Sequence, residues 1–168
     1  MKRASALLAA LAFVAAGCSS STSPSPAPNP TFTATLLPAN EVPPITNAEA
    51  SGSGNVQITM VVTKDAAGNV ATASITFNVS LTGFPPGTTV ILGHIHKGAP
   101  GCACPVAISA NVTSTPLPNG SGTLSLSNSS PDVAVVQDIL NNPGNYYFNV
   151  HSTLNPGGFA RGQLSRVQ

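Results

Sequence analysis

Tryptophan is absent from this sequence, only two tyrosines and six phenylalanines occur, and charged residues make up 7% of the chain. So little charge leaves no basic patch to displace counterions from a polyanion, so no nucleic-acid partner is expected. It does not imply disorder, because 42% of the residues are hydrophobic and disordered chains combine low hydrophobicity with high net charge. The apolar run from Ala4 to Ala16 is shorter than the roughly 20 residues a membrane-spanning helix needs. Motifs of conventional catalysis are missing too. There is no carboxylate pair at close spacing, no G-x-S-x-G elbow and no phosphate-binding glycine loop, so the chain is not expected to be an enzyme. Cysteine and histidine are scarce at three each, which makes their positions informative.

What is present at the N-terminus reads as processing rather than fold. Lys2 and Arg3 precede the apolar run, and Ala15-Ala16-Gly17 leads to Cys18. Residues 1–17 have the three parts of an export signal. Val14-Ala-Ala-Gly-Cys18 resembles the bacterial lipobox, whose cysteine is acylated and becomes the new N-terminus. Two or more acyl chains hold a protein stably on a membrane, each buried CH₂ contributing about 0.8 kcal/mol. From Cys18 to Pro30 the chain is almost wholly Ser, Pro, Thr and Ala, a semi-extended tether that cannot bury a core. The expected location is the bacterial cell envelope. Ser19, rather than an Asp, follows the anchor, which favours the outer membrane or cell surface over the inner membrane.

Residues 31–168 then suit one domain. They show short alternating runs between turn residues, the pattern of an all-β fold. Strands are expected over 32–37, 55–63, 70–81, 89–96, 106–112, 122–126, 146–152 and 162–166. The reading is a single Greek-key β-sandwich or barrel of about eight antiparallel strands, with too few residues between them for parallel crossovers. One short helix interrupts it. Ser130 is its expected cap, Pro131 suits the first turn, and Asp132 complements the positive end of the dipole. Val133, Val136, Ile139 and Leu140 form its apolar stripe, and Gly144 lies just past its end. Ser51-Gly-Ser-Gly and Gly120-Ser-Gly-Thr each lead into an alternating strand, the trace of a faint two-fold repeat.

The three histidines fall in two of these strands. His94 and His96 share a face because side chains alternate with period two, and Tyr147, Asn149 and His151 share one on the other strand. Tyr146, Phe148 and Val150 form the opposite, core side. Two readings stay open. One is a three-histidine metal site, an H-x-H chelate completed by His151, suited to zinc or copper. The other is a polar network in which each ring bonds to backbone or to Asn149. Cys102 and Cys104 remain after the anchor takes Cys18. In an exported protein a disulfide between them is favoured, with metal thiolates the alternative. Glu41 and Arg161 form a candidate ion pair, since charges are too few to be left buried alone.

The motifs Phe32…Leu36, Asn40-Glu-Val-Pro-Pro44 and Gly93-His-Ile-His96-x-Gly98, then Tyr147-Phe-Asn-Val-His151-Ser, Asn155-Pro-Gly-Gly158 and Arg161-Gly-Gln-Leu164, resemble the CHRD domain. They span the chain from Phe32 to Leu164 in order. Two departures stand out. Phe159-Ala160 precedes Arg161 where the family has an acidic and an aliphatic residue, and Cys102-Ala-Cys104-Pro replaces a stretch containing Gly and Asn-Gly-Pro. The resemblance implies a β-sandwich binding module, the family being named from repeats in the extracellular growth-factor antagonist chordin, and it transfers no ligand. The leading expectation is a non-enzymatic, lipid-anchored module that binds an extracytoplasmic protein or other ligand. The alternative is a zinc or copper protein, or an oxidoreductase in outline like the Cu/Zn superoxide dismutases, using His94, His96 and His151. Against that enzyme, the chain has only three histidines and no evident Asp ligand.

Overall fold

The computed structural model describes residues 28–168. The export signal, Cys18 and most of the tether lie outside the described residues.

Among the described residues, ten strands and one α-helix follow one another. They are β1 (Thr31–Leu36), β2 (Ser53–Lys64), β3 (Val70–Thr82), β4 (Thr88–Lys97), β5 (Val106–Ser109), β6 (Thr115–Leu117) and β7 (Gly122–Asn128), then α1 (Val133–Asn141), β8 (Tyr146–Ser152), β9 (Ala160–Gln163) and β10 (Ser165–Arg166). One antiparallel sheet runs β10-β1-β2-β3-β7; the other runs β5-β4-β8-β9, with β6 beside the start of β4. The fold is the expected all-β sandwich. Its core follows the period-two pattern: Val56, Ile58 and Met60 from β2 meet Ile75, Phe77 and Val79 from β3, and Phe77 stacks on Phe148 of the facing sheet at 5.6 Å between centroids.

Three local readings are corrected. The helix is capped by Asp132, whose carboxylate accepts from the amides of Ala134 (2.8 Å) and Val135 (3.3 Å), and not by Ser130. Val136 and Ile139 face the core, Leu140 packs partly against it, and Val133 is exposed. Gly144 sits in a 3-10 turn, Pro143–Asn145. The expected final strand is two. Leu164 keeps its N–H on Tyr146 O (2.9 Å), after which Ser165 pairs with Thr33 of the other sheet. Both Ser-Gly turns grip one end of β3: Ser51 Oγ donates to Gly83 O, and Gly83 N donates to Ser121 Oγ.

The sheets are stitched at one corner, where Leu37 and Arg161 exchange backbone hydrogen bonds of 3.1 and 3.3 Å. A second tie holds α1 to β4 and β8. Asp138 Oδ2 accepts from Lys97 Nζ (2.7 Å) and from the Tyr146 hydroxyl (2.6 Å), and Oδ1 accepts from Asn142 (2.9 Å). Lys97 first, then Tyr146 and Asn142, hold the Asp138 carboxyl well below the usual range. A carboxylate with a lowered folded pKa stabilises fully above its unfolded value, about 3.9, and loses that contribution as pH falls toward the folded value. Asp138→Asn is therefore expected to lower the urea midpoint at about pH 6, with the gap to the wild type narrowing at about pH 2.

β8 is buried along its whole length. Tyr146, Phe148 and Val150 belong to the core as expected. The opposite face is buried too, because the segment 38–51 and the loops 98–105 and 154–158 fold over it. Glu49, 1% exposed, anchors this cover: its Oε2 accepts from Ser152 Oγ (2.7 Å) and from the Asn155 amide. Removing a charged acceptor leaves a buried hydroxyl unpaired, so Glu49→Ala is expected to cost about 2–3 kcal/mol. A urea midpoint shift at constant m-value would show it.

Candidate metal centre

The register between β4, β8 and β9 builds the site. His96 lies opposite Tyr147, which lies opposite Gln163; His94 lies opposite Asn149, which lies opposite Arg161. Residues opposed across antiparallel strands point to one face, so two polar rows stand side by side. His151, paired with Leu92, extends that face beyond the Asn149 row.

On this face the three histidines converge. One ligand nitrogen from each lies within 4.8 Å of the others. His94 Nδ1 is 3.0 Å from His151 Nε2. His151 Nδ1 is 2.8 Å from Pro156 O, and His96 Nδ1 is 2.8 Å from Cys104 O. Carbonyls accept only, so these two rings carry their protons on Nδ1; the inward Nε2 lone pair of His96 has no partner, and that of His151 accepts from His94 Nδ1. Burial holds all three imidazoles below the ordinary histidine range. For His94, burial and then the neighbouring His151 and His96 push it down to about 4. For His96 and His151, burial outweighs the opposing backbone hydrogen bonds.

The surroundings fix these rings. His96 stacks on Tyr147, with ring planes 5° apart. The guanidinium of Arg161 lies 4.4 Å from the centre of the same tyrosine ring. Cys102 and Cys104 are joined by a disulfide, and the small loop they close contributes through its backbone. Cys104 N donates to the Tyr147 hydroxyl (3.1 Å), Cys102 O accepts from Arg161 Nη1 (2.6 Å), and nearby Gly98 O accepts from Gln163 (2.7 Å). The cysteines stand beside the histidines as a clamp, in the disulfide form rather than as thiolate ligands.

The expected Glu41–Arg161 ion pair does not form. Arg161 donates instead to the carbonyls of Asn40 and Cys102, and among the described residues the salt bridge is Lys97–Asp138. Glu41 is 6% exposed. Burial raises its carboxyl to about 7 against the opposing pull of Arg161 and Asn149. Glu41, His96, Cys104, Tyr147, Asn149 and Arg161 line a cavity of about 140 Å³. Glu41 Oε1, His96 Nε2 and Asn149 Oδ1 are all buried and lack a hydrogen-bond partner. Gly158 is needed here: its φ is +126°, and a Cβ would stand 2.6 Å from Asn149 Nδ2 and 2.9 Å from Glu41 Oε1.

Gln163 and Gly158 were not singled out as site residues by the sequence. The available signal was their place in two of the motifs that resemble the CHRD domain, Arg161-Gly-Gln-Leu164 and Asn155-Pro-Gly-Gly158, together with the period-two spacing of Arg161 and Gln163.

The CHRD domain family model matches residues 32–164, and the chain belongs to the CHRD domain family. No curated protein and no solved structure matches it.

Proposed function

We propose that this CHRD protein is an exported, lipid-anchored binding module that holds a transition-metal ion between His94, His96 and His151. The observation that carries the proposal is the convergence of three imidazole nitrogens within 4.8 Å, with the far nitrogens of His96 and His151 held by backbone carbonyls. A metal-bound histidine characteristically donates its other N–H to such an acceptor, which fixes the tautomer and raises ligand basicity. Neutral imidazoles suit zinc and copper. His94 and His151 meet through Nδ1 and Nε2; to hold an ion, His94 would carry its proton on Nε2, leaving the lone pairs of His94 Nδ1 and His151 Nε2 free as ligands. The set lacks the additional histidines and the aspartate of a dismutase-type dinuclear site, which disfavours that oxidoreductase reading.

Lipidation of Cys18 supplies the other half of the proposal. A nearly neutral domain has no charge with which to attract a membrane surface, and acyl chains on Cys18 followed by the Ser/Pro tether to Pro30 would hold it at the outer face of the envelope.

Elemental analysis of the domain purified without a polyhistidine tag tests the metal. About one zinc or copper per chain is expected in the wild type, lost in His94→Ala and in His151→Ala. Well under one equivalent after exposure to both metals sinks the proposal.

A further inference from the structure

Three buried polar atoms without partners line one small cavity, and each is an acceptor once the Glu41 carboxyl, which burial raises to about 7, is ionised. His96 Nε2 is a lone pair because Nδ1 donates to Cys104 O. Glu41 Oε1 and Asn149 Oδ1 are oxygens. Their residues are 7%, 6% and 3% exposed. Leaving a buried acceptor unpaired costs about 1–3 kcal/mol, so with Glu41 ionised the three together favour a donor seated in the cavity.

We infer that the metal centre is open, with a water molecule as exchangeable ligand seated in the Glu41–Asn149 cavity. The inference rests on the metal reading above. It accounts for all three atoms with one unit: the ion takes the lone pair of His96 Nε2, and its water donates one proton to Glu41 Oε1 and the other to Asn149 Oδ1. A water bound to a cation is a strong two-proton donor and accepts nothing further from its ligands, which matches a wall of acceptors. The cavity, about 140 Å³, exceeds the roughly 30 Å³ share of one water in the liquid, so small molecules other than water fit. Arg161 in the wall favours a ligand with negative charge. Structural zinc sites fill all four positions with protein ligands, whereas three protein ligands and a water define a site that exchanges or activates small molecules. Glu41 and Asn149 are thereby positioning residues for the metal's fourth ligand, and Gly158 is the residue whose missing side chain leaves them room.

The copper(II) form of the whole domain provides the test. Pulsed EPR in H₂O and D₂O is expected to show exchangeable protons from one coordinated water, and azide is expected to displace that water with a new charge-transfer band. Above about pH 7, where the Glu41 carboxyl is ionised, azide cannot donate to Glu41 or Asn149, so it binds against an unpaired carboxylate. Glu41→Gln removes that charge and supplies an N–H, and is expected to keep one copper per chain while binding azide at least about tenfold more tightly. No copper uptake by the wild type removes the metal reading and this inference together. Copper at one per chain, with neither exchangeable water protons nor an azide band, overturns this inference alone. So does unchanged azide affinity in Glu41→Gln, and so does loss of copper from it, which would make Glu41 a direct ligand or a support of the fold. The wild-type measurements stand whether or not that variant folds.

Discussion

Gly162→Ala is expected to destabilise the domain by about 3 kcal/mol or more, while Gly157→Ala, five residues earlier, leaves stability nearly unchanged. The difference lies in what a single methyl group would meet. At Gly162 a Cβ would stand 2.0 Å from the Thr35 carbonyl oxygen and 2.8 Å from its carbon, whereas at Gly157 nothing lies within 4 Å. The obstacle at Gly162 is backbone of β1, which no rotamer change can move. β1 is fixed there by its ladder with β2 on one side and by the Leu37–Arg161 bridge on the other. Relief requires β9 to shift, and β9 carries Arg161 and Gln163, which hold the Cys102 and Gly98 carbonyls. The damage therefore reaches the loop that orients His96 as well as the sheet corner. Urea midpoints of the two variants, compared at equal m-values, measure the contrast; equal midpoints contradict the account.

Much of this arrangement was legible in the residues, and the part that was not has a common cause. The boundaries of β8 agree with the expected 146–152, because Tyr146, Phe148 and Val150 alternate cleanly against polar neighbours. The same period put His94 with His96, and Tyr147, Asn149 and His151 together, as the register then places them. What period two cannot show is that the polar face is covered as well. That cover comes from residues 38–51, 98–105 and 154–158, irregular segments far apart in sequence, so no local pattern announces Glu49 on Ser152 or Pro156 on His151. Glu41 and Arg161 were paired by charge alone, yet the guanidinium is satisfied by two carbonyls, acceptors every residue carries and no sequence singles out. β6 was missed because Pro116 sits in its middle, and proline within a run reads as a turn unless the strand lies at an edge. The helix cap moved from Ser130 to Asp132 because both are capping residues two positions apart; Asp132 is the one whose carboxylate reaches the amides of Ala134 and Val135.

Zinc or copper at about a hundred times its dissociation constant is expected to raise the wild-type unfolding free energy by about 2.7 kcal/mol. For a domain of this size that is a melting temperature increase of roughly 10 °C. The unfolded chain cannot reproduce the site, since His94 and His96 come from β4 and His151 from β8, and only the ladder between those strands brings them within 4.8 Å. His151→Ala is expected to lower the metal-free melting temperature, because it leaves Pro156 O and His94 Nδ1 without their partner. It is also expected to abolish the metal-dependent increment. The increment is the decisive quantity: a purely structural role for His151 lowers both melting curves of the variant equally and leaves the increment intact, whereas a ligand role removes it. Magnesium serves as the control, since it prefers oxygen ligands in octahedral geometry and finds no such set among three imidazoles. A wild-type melting temperature that moves with neither zinc nor copper would return the three histidines to the hydrogen-bonded network that Cys104 O and Pro156 O already supply.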